Sequence, residues 1–127
     1  MSATESQELL TAVRQFLREQ VLPELDGFKA YNTRIAANAL GIVARELEMG
    51  AGLVALDQQM AAELGLDPQV VAIPRHIALA LRDGELVADE KILSYLRKRT
   101  LLAIAIDNPR YSGLQQANER WGESGNA

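Results

Sequence analysis

The sequence predicts an all-α protein, a single compact bundle of about five helices followed by a flexible C-terminal tail. Apolar residues recur at spacings of three and four along most of the chain, and no segment alternates apolar and polar residues for the length of a strand. Glycine, proline and Asp-Gly pairs divide the chain at helix-length intervals. The length of 127 residues fits one domain. We place that domain at residues 6–112 and the tail at residues 113–127.

The N-terminal half is predicted to hold three helices. The first begins at Ser6, a suitable N-cap, and ends before Pro23. The second covers about 28–49 and ends at Gly50, and the third covers about 52–64. The second helix is long enough to serve as one of the two central helices of the bundle.

The C-terminal half is predicted to hold two more helices. The fourth starts near Pro74, a favourable first-turn residue, and stops at Gly84. Asp89 caps the fifth, which reaches about Asp107 before Pro109 prevents continuation. The fifth helix is the expected partner of the second at the centre of the bundle.

At 100° per residue, the second helix has one broad apolar face, made of Phe28, Tyr31, Ile35, Ala39, Ile42, Val43 and Leu47. Asn32 and Glu46 fall inside this face, and Arg34, Asn38 and Arg45 line one flank. A carboxylate within an apolar stripe is costly unless it is paired or protonated. Glu46 is therefore interpreted as an ion-pair partner, as a residue near an exposed helix end, or as a general base or ligand group.

The fifth helix carries the complementary feature, because Arg99 falls on its apolar face. The simplest interpretation is a buried ion pair between Glu46 and Arg99. Acidic residues open this helix and the basic run 97–99 comes later, an order that suits the helix dipole. The run is either a solvated face or an anion site. Candidate anion contacts are Arg34, Arg45, Arg97, Lys98 and Arg110.

The segment Asn108-Pro109-Arg110-Tyr111 closes the fifth helix with a polar turn. One interpretation is a helix stop in which Tyr111 packs back on the core. The other is a recognition turn that presents Arg110 and Tyr111. Together with Arg34, Asn38 and Arg45, the residues Asn108, Arg110 and Tyr111 are the candidate interface or ligand contacts.

Composition excludes several classes of site. The chain has no cysteine, and its one histidine, His76, rules out a multi-histidine metal site within one chain. A net charge of -4 disfavours nucleic acid as a partner. We find no metal-binding motif, phosphate loop or nucleophile elbow, and predict no catalytic, cofactor or metal residues. The N-terminus does not resemble a signal peptide and no apolar run spans a membrane, so a cytoplasmic protein is expected.

Three segments resemble a known family. They are Ala12 to Leu17 with Val21-Leu22-Pro23, then RIAANALGIVAREL at residues 34–47, then the Asn108–Tyr111 turn. Over roughly residues 8–112 the chain resembles the DUF6285 family of small bacterial helical proteins. Members of that family are typically encoded beside a kinase similar to aminoglycoside phosphotransferases and beside an acyl-CoA dehydrogenase.

The resemblance implies an accessory subunit for such a kinase, which phosphorylates the hydroxyl of a 4-hydroxyacyl-CoA in short-chain acid catabolism. Two alternatives follow from the residues themselves. The chain is a stand-alone module that binds an acyl or anionic small molecule near Asn32, Asn38 and Glu46, or a homodimeric structural protein. A large exposed apolar patch beside a polar rim favours a protein partner, whereas a closed cavity with converging polar groups favours a ligand.

Overall fold

A computed structural model describes residues 1–122, and within that range the chain forms α-helices and no strand. The helices are α1 (Ala3–Phe16), α2 (Gly27–Leu64), α3 (Ile73–Arg82), α4 (Glu90–Asp107) and α5 (Leu114–Trp121). A π-helical turn (Leu17–Val21) and a 3-10 turn (Leu22–Glu24) lie between α1 and α2. The predicted all-α class is therefore confirmed.

The chain divides into two compact units. The N-terminal unit covers Met1–Gly50, and the C-terminal unit begins at Ala51. Helix α2 crosses this boundary, so residues 27–50 belong to the N-terminal unit and residues 51–64 to the C-terminal unit.

Helix α2 corrects the prediction of separate second and third helices, because it runs unbroken for 38 residues. A glycine inside a helix costs about 1 kcal/mol relative to alanine, which good helix formers on both sides can absorb. Gly52 is also explained by packing. A Cβ at this position would lie 2.7 Å from Leu102 Cδ2. Gly52 thus lets a side chain of α4 approach the backbone of α2 within the C-terminal unit.

The helix ends follow local rules, with one shift from the prediction. Ser2, not Ser6, caps α1: the Glu5 amide donates to Ser2 Oγ at 3.1 Å, and the Ser2 amide donates to the Glu5 carboxylate at 2.7 Å. Asp89 caps α4 as predicted, accepting from the Ile92 amide at 2.9 Å. Gly84, with a φ of 75°, closes α3 as predicted.

Helix α5 was not predicted, since we assigned residues 113–127 to the tail. Its buried residue is Leu114, and polar residues dominate the rest of its sequence. The last part of the predicted tail, residues 123–127, lies outside the described residues.

The C-terminal unit has a core of large apolar side chains from α2, α3 and α4. Ile73 and Ile77 of α3 pack with residues of the other two helices. The buried members of this cluster are Met60, Ala61, Ile73, Ile77, Ile92 and Tyr95. Helix α3 therefore docks through one strongly apolar face, with Ile77 fully buried.

Candidate functional site

The two faces of α2 differ sharply within the N-terminal unit. The buried positions are small residues, Ala30, Ala37, Gly41 and Gly50. From α1, Arg14 Nε donates to the Ala37 carbonyl oxygen at 3.2 Å. The Arg14 guanidinium also lies about 3.0 Å from where a Gly41 Cβ would be. Small residues thus give a long cationic side chain close access to the backbone of α2.

The opposite face of α2 is the broad apolar face predicted above, and it is exposed. Phe28 is 84% exposed, Tyr31 is 58% exposed and Ile35 is 48% exposed. Ile42, Val43 and Leu47 are exposed as well. We call this set, with Ala39, the α2 apolar face. On helix α1, Leu9, Val13 and Phe16 form a second exposed apolar stripe.

Both polar residues within the α2 apolar face are also exposed. Glu46 lies beside Gly50, and its Oε1 is 2.7 Å from where a Cβ on that glycine would be. The prediction that Glu46 is buried is wrong, because this residue is exposed. Arg99, the other half of the predicted ion pair, binds a different carboxylate within the C-terminal unit. Exposure lets water solvate Glu46, so no burial cost arises.

Part of the flank of the α2 apolar face is already engaged in contacts within the N-terminal unit. Arg34 and Asn38 are exposed, whereas Arg45 is half-buried. Asn38 accepts a hydrogen bond from Arg18 of the π-helical turn, from Nη2 to Oδ1 at 2.5 Å. Asn38 therefore ties the chain before α2 to the helix, and Arg34 remains the more accessible of the three candidates.

Within the C-terminal unit, Asp57 is the centre of a polar cluster between α2 and α4. Its Oδ1 accepts from Tyr95 Oη at 2.6 Å and from Arg99 Nε at 2.8 Å, and its Oδ2 accepts from Arg99 Nη2 at 3.1 Å. The side chains of Asp57 and Arg99 are 21% and 27% exposed. Asp57 thus takes the role predicted for Glu46.

The electrostatics of this cluster favour the ion pair and a neutral phenol. Burial alone would raise the pKa of Asp57, but hydrogen bonds from Arg99 and Tyr95 and the Arg99 charge outweigh it and lower that pKa. Burial, together with the bond to the Asp57 carboxylate, raises the pKa of Tyr95. No buried polar side-chain atom of the cluster lacks a hydrogen-bond partner.

The basic run of α4 divides into paired and unpaired residues. Arg99 binds Asp57, and Arg97 Nη1 lies 3.8 Å from Glu90 Oε1. Lys98 lies between them in sequence and is exposed, and no salt bridge within residues 1–122 includes it. Of the three, Lys98 is therefore the cation open to an outside anion.

The Asn108–Tyr111 segment is a compact turn within the C-terminal unit. The Tyr111 amide donates to the Asn108 carbonyl at 3.0 Å, and the Leu114 amide donates to the Tyr111 carbonyl at 3.0 Å. Asn108, Arg110 and Tyr111 are all exposed. The Tyr111 ring lies over Gly113, at 2.8 Å from where a Cβ would be. The turn presents Arg110 and Tyr111 to solvent.

Two further findings concern the described part of the chain. Residues 1–122 bring together no group of three or more histidine, aspartate or glutamate side chains able to hold a metal ion. Within the same range, no helix has the length and apolar character needed to cross a membrane.

Sequence reasoning singled out the apolar face of α2, Arg99 and the 108–111 turn, but it missed Asp57. A signal was available, since Asp57 is four residues after Leu53 and three before Met60, on the apolar side of the predicted third helix. Interpreting Asp57, like Glu46, as a carboxylate on an apolar face that needs a cationic partner gives the correct partner for Arg99.

Comparison with known proteins gives one match. The model of a family described as a domain of unknown function, DUF6285, matches residues 23–111. No curated protein and no solved structure matches the chain. The matched range includes all of α2, α3 and α4.

Proposed function

The chain belongs to the DUF6285 family, and on that premise we propose that it is a non-catalytic accessory subunit. Its partner is a phosphotransferase-like kinase that phosphorylates a hydroxyacyl-CoA in short-chain acid catabolism. The kinase supplies the nucleotide cradle, metal ligands and base that phosphoryl transfer requires. The accessory chain supplies a binding surface.

The observation that carries this proposal is the exposure of the α2 apolar face. Monomeric soluble proteins rarely expose contiguous apolar patches beyond about 300–600 Å². Phe28 and Tyr31 alone place most of two aromatic side chains in water, and four branched aliphatic residues follow on the same side of the helix. A partner that covers this face removes its apolar area from water. This burial stabilises the complex by about 25 cal/mol per Å² covered.

The polar residues of the same face suit a protein contact. Aromatic and arginine side chains dominate interface energies, whereas polar groups at the edge set orientation. Tyr31 lies on the α2 apolar face and Arg34 lies on its flank, both exposed. Glu46 and Asn32 offer one acceptor carboxylate and one amide within reach of the same partner surface.

The test is co-expression with a phosphotransferase-like kinase of the proposed class, followed by affinity purification of the kinase. The informative variant is Ile35→Ser with Val43→Ser, which removes two apolar side chains from the α2 apolar face. The control is Val70→Ser with Val87→Ser, which changes two exposed valines outside that face. We expect the first pair to abolish capture and the control pair to retain it.

Equal capture of both double variants would refute the assignment of this face. Failure of the wild-type chain to bind the kinase would refute the proposed function itself. Single variants Arg34→Ala and Tyr111→Ala extend the test to the predicted flank and turn. Near-normal thermal stability with weaker kinase capture would support these two residues as contacts.

A second candidate, self-association, is favoured by the pattern of the α2 apolar face. Ile35 and Val43 are equidistant in sequence from Ala39, and so are Tyr31 and Leu47. A two-fold interface places the same patch of both copies in contact, so an antiparallel pair of α2 helices centred on Ala39 would match apolar residues with apolar residues. Sedimentation velocity over a concentration series tests this, with Ala39→Arg expected to give monomer.

A further inference from the structure

A groove lies between α4 and α5 in the C-terminal unit, and none of its lining residues belongs to the α2 apolar face. Its volume is about 510 Å³, within the range of small-molecule sites. Its floor and walls are mainly apolar, from Leu101, Leu102 and Ala105 of α4 and Trp121 of α5. A groove of this composition favours an alkyl chain.

One cationic side chain, that of Lys98, lies at the border of the groove. Lys98 precedes Leu101 by three residues and Leu102 by four, so it lies on the same side of the helix and borders the groove. Its neighbours Arg97 and Arg99 are engaged by Glu90 and Asp57, as described above. Lys98 is thus positioned to meet the charged end of a molecule whose apolar part fills the groove.

We propose that the groove between α4 and α5 binds an aliphatic monocarboxylate, with its alkyl chain along Leu101, Leu102 and Trp121 and its carboxylate at Lys98. The argument is complementarity of charge and polarity. An apolar groove with one cation at its border matches a ligand with an alkyl chain and one anionic head. Asn118 of α5 also lines the groove and adds one amide to its polar border.

Lys98 also borders a smaller hollow of about 180 Å³ on the side of Tyr95. The rim of that hollow already holds an ion pair, with Lys91 Nζ 3.1 Å from Glu63 Oε2. Its volume is about a third of the groove volume and leaves less room for an alkyl chain. The larger groove is therefore the assigned site, and the experiment separates the two.

The chain contains a single tryptophan, and Trp121 lines the groove, so intrinsic fluorescence reports its occupancy. The probe is sodium octanoate, titrated into the full chain, with calorimetry as a second readout. The head group is tested with octanol and octylammonium, which keep the alkyl length and remove or reverse the charge. We expect saturable fluorescence change with octanoate, and weaker binding of the other two.

Three variants locate the site. Lys98→Met keeps the aliphatic stem and removes the charge, and we expect binding at least about ten-fold weaker, as for the loss of one charged hydrogen bond. Lys29→Met is the matched control, an exposed lysine of the N-terminal unit, and should bind as wild type. Ala105→Phe fills the groove and should abolish the fluorescence change.

Equal binding of octanoate and octanol, or unchanged affinity in Lys98→Met, would overturn the role of the lysine. Retained octanoate binding in a folded Ala105→Phe variant would place the ligand outside the groove and overturn the site. The absence of any saturable response to octanoate would overturn the proposal as a whole. None of these results depends on whether the kinase binds.

Discussion

Arg99 binds Asp57 through two hydrogen bonds, Nε to Oδ1 at 2.8 Å and Nη2 to Oδ2 at 3.1 Å. This bidentate geometry suits the planar guanidinium and is stronger than a single neutral hydrogen bond. Asp57 and Arg99 are 42 positions apart in sequence, so their contact fixes how α2 and α4 align within the C-terminal unit. Its consequences for stability can be measured directly.

We expect Asp57→Ala to destabilise the chain by about 2–4 kcal/mol. The substitution leaves the Arg99 guanidinium and the Tyr95 hydroxyl without their acceptor, and breaking one side of a buried pair typically costs about 3–5 kcal/mol. Asp57 and Arg99 are partly exposed, so we expect a loss about 1 kcal/mol smaller than this typical cost. Urea unfolding monitored by far-UV circular dichroism gives the free energy of unfolding.

The matched control is Asp83→Ala, which removes an ion pair with Arg82 at 2.9 Å whose side chains are 48% and 69% exposed. Surface pairs of this kind contribute little, so the control should unfold close to wild type. If both aspartate variants unfold at the same urea concentration as wild type, the polar cluster does not stabilise the unit.

The same cluster predicts how stability changes with acid. The pKa of Asp57 is lower in the folded chain than its value of about 3.9 in an unfolded chain. A lowered folded pKa stabilises the protein above the unfolded value, and this contribution is lost as the pH falls through the folded pKa. We therefore compare the free energy of unfolding of wild type with that of Asp57→Asn. The difference, which we call the stability gap, should be constant near neutral pH and narrow below about pH 4. Unfolding curves at a series of pH values measure this gap, and one that widens in acid would contradict the assignment.

Two glycines of α2 should respond to alanine with opposite signs. At Gly50 the nearest atom to a new Cβ is the end of the exposed, flexible Glu46 side chain, which can move aside. Gly50→Ala should therefore stabilise α2 by about 0.5–1 kcal/mol through helix propensity. At Gly41 the Cβ would meet the Arg14 guanidinium, which is held by the Ala37 carbonyl. Gly41→Ala should destabilise the folded chain, because Arg14 must give up its hydrogen bond to the Ala37 carbonyl. Thermal unfolding of both variants tests this contrast.

The elements that the sequence predicted well are those governed by local chemistry. The Asp89 cap, the Pro74 start and the Gly84 stop each depend on residues within a few positions of one another. The continuity of α2 through Gly50 and Gly52 depends instead on packing from α4, since Leu102 occupies the space beside Gly52. Contacts between residues fifty positions apart leave no periodic signal in one sequence.

The candidate site shows the same division. The α2 apolar face and its composition followed from helical spacing, but whether it is buried or exposed does not follow from spacing alone. The ion-pair partner predicted for Arg99 was wrong for a related reason. Glu46 and Asp57 both lie on apolar sides of predicted helices, and helical spacing alone cannot choose between them. The groove between α4 and α5 could not be predicted from the sequence, since the residues of α5 were assigned to the tail.

A matched pair of isoleucines tests whether the α2 apolar face is open in the free chain. Ile77 is fully buried, whereas Ile35 is 48% exposed. Ile77→Ala should cost about 2–5 kcal/mol, since it removes buried methyl groups and leaves a cavity. Ile35→Ala removes side-chain atoms that are already half in water, and alanine has the higher helix propensity. Its cost should therefore be about 1 kcal/mol or less.

Both variants are measured by urea unfolding at a low protein concentration, so that pairing of two copies does not add to stability. A large loss in Ile77→Ala with little change in Ile35→Ala would show that the α2 apolar face does not stabilise the folded chain. That outcome leaves the face available to a partner, and the capture experiment with Ile35→Ser and Val43→Ser then reports on binding alone. An equally large loss in Ile35→Ala would mean that the face is covered in the free chain, and the proposed contact with the kinase would have to lie elsewhere.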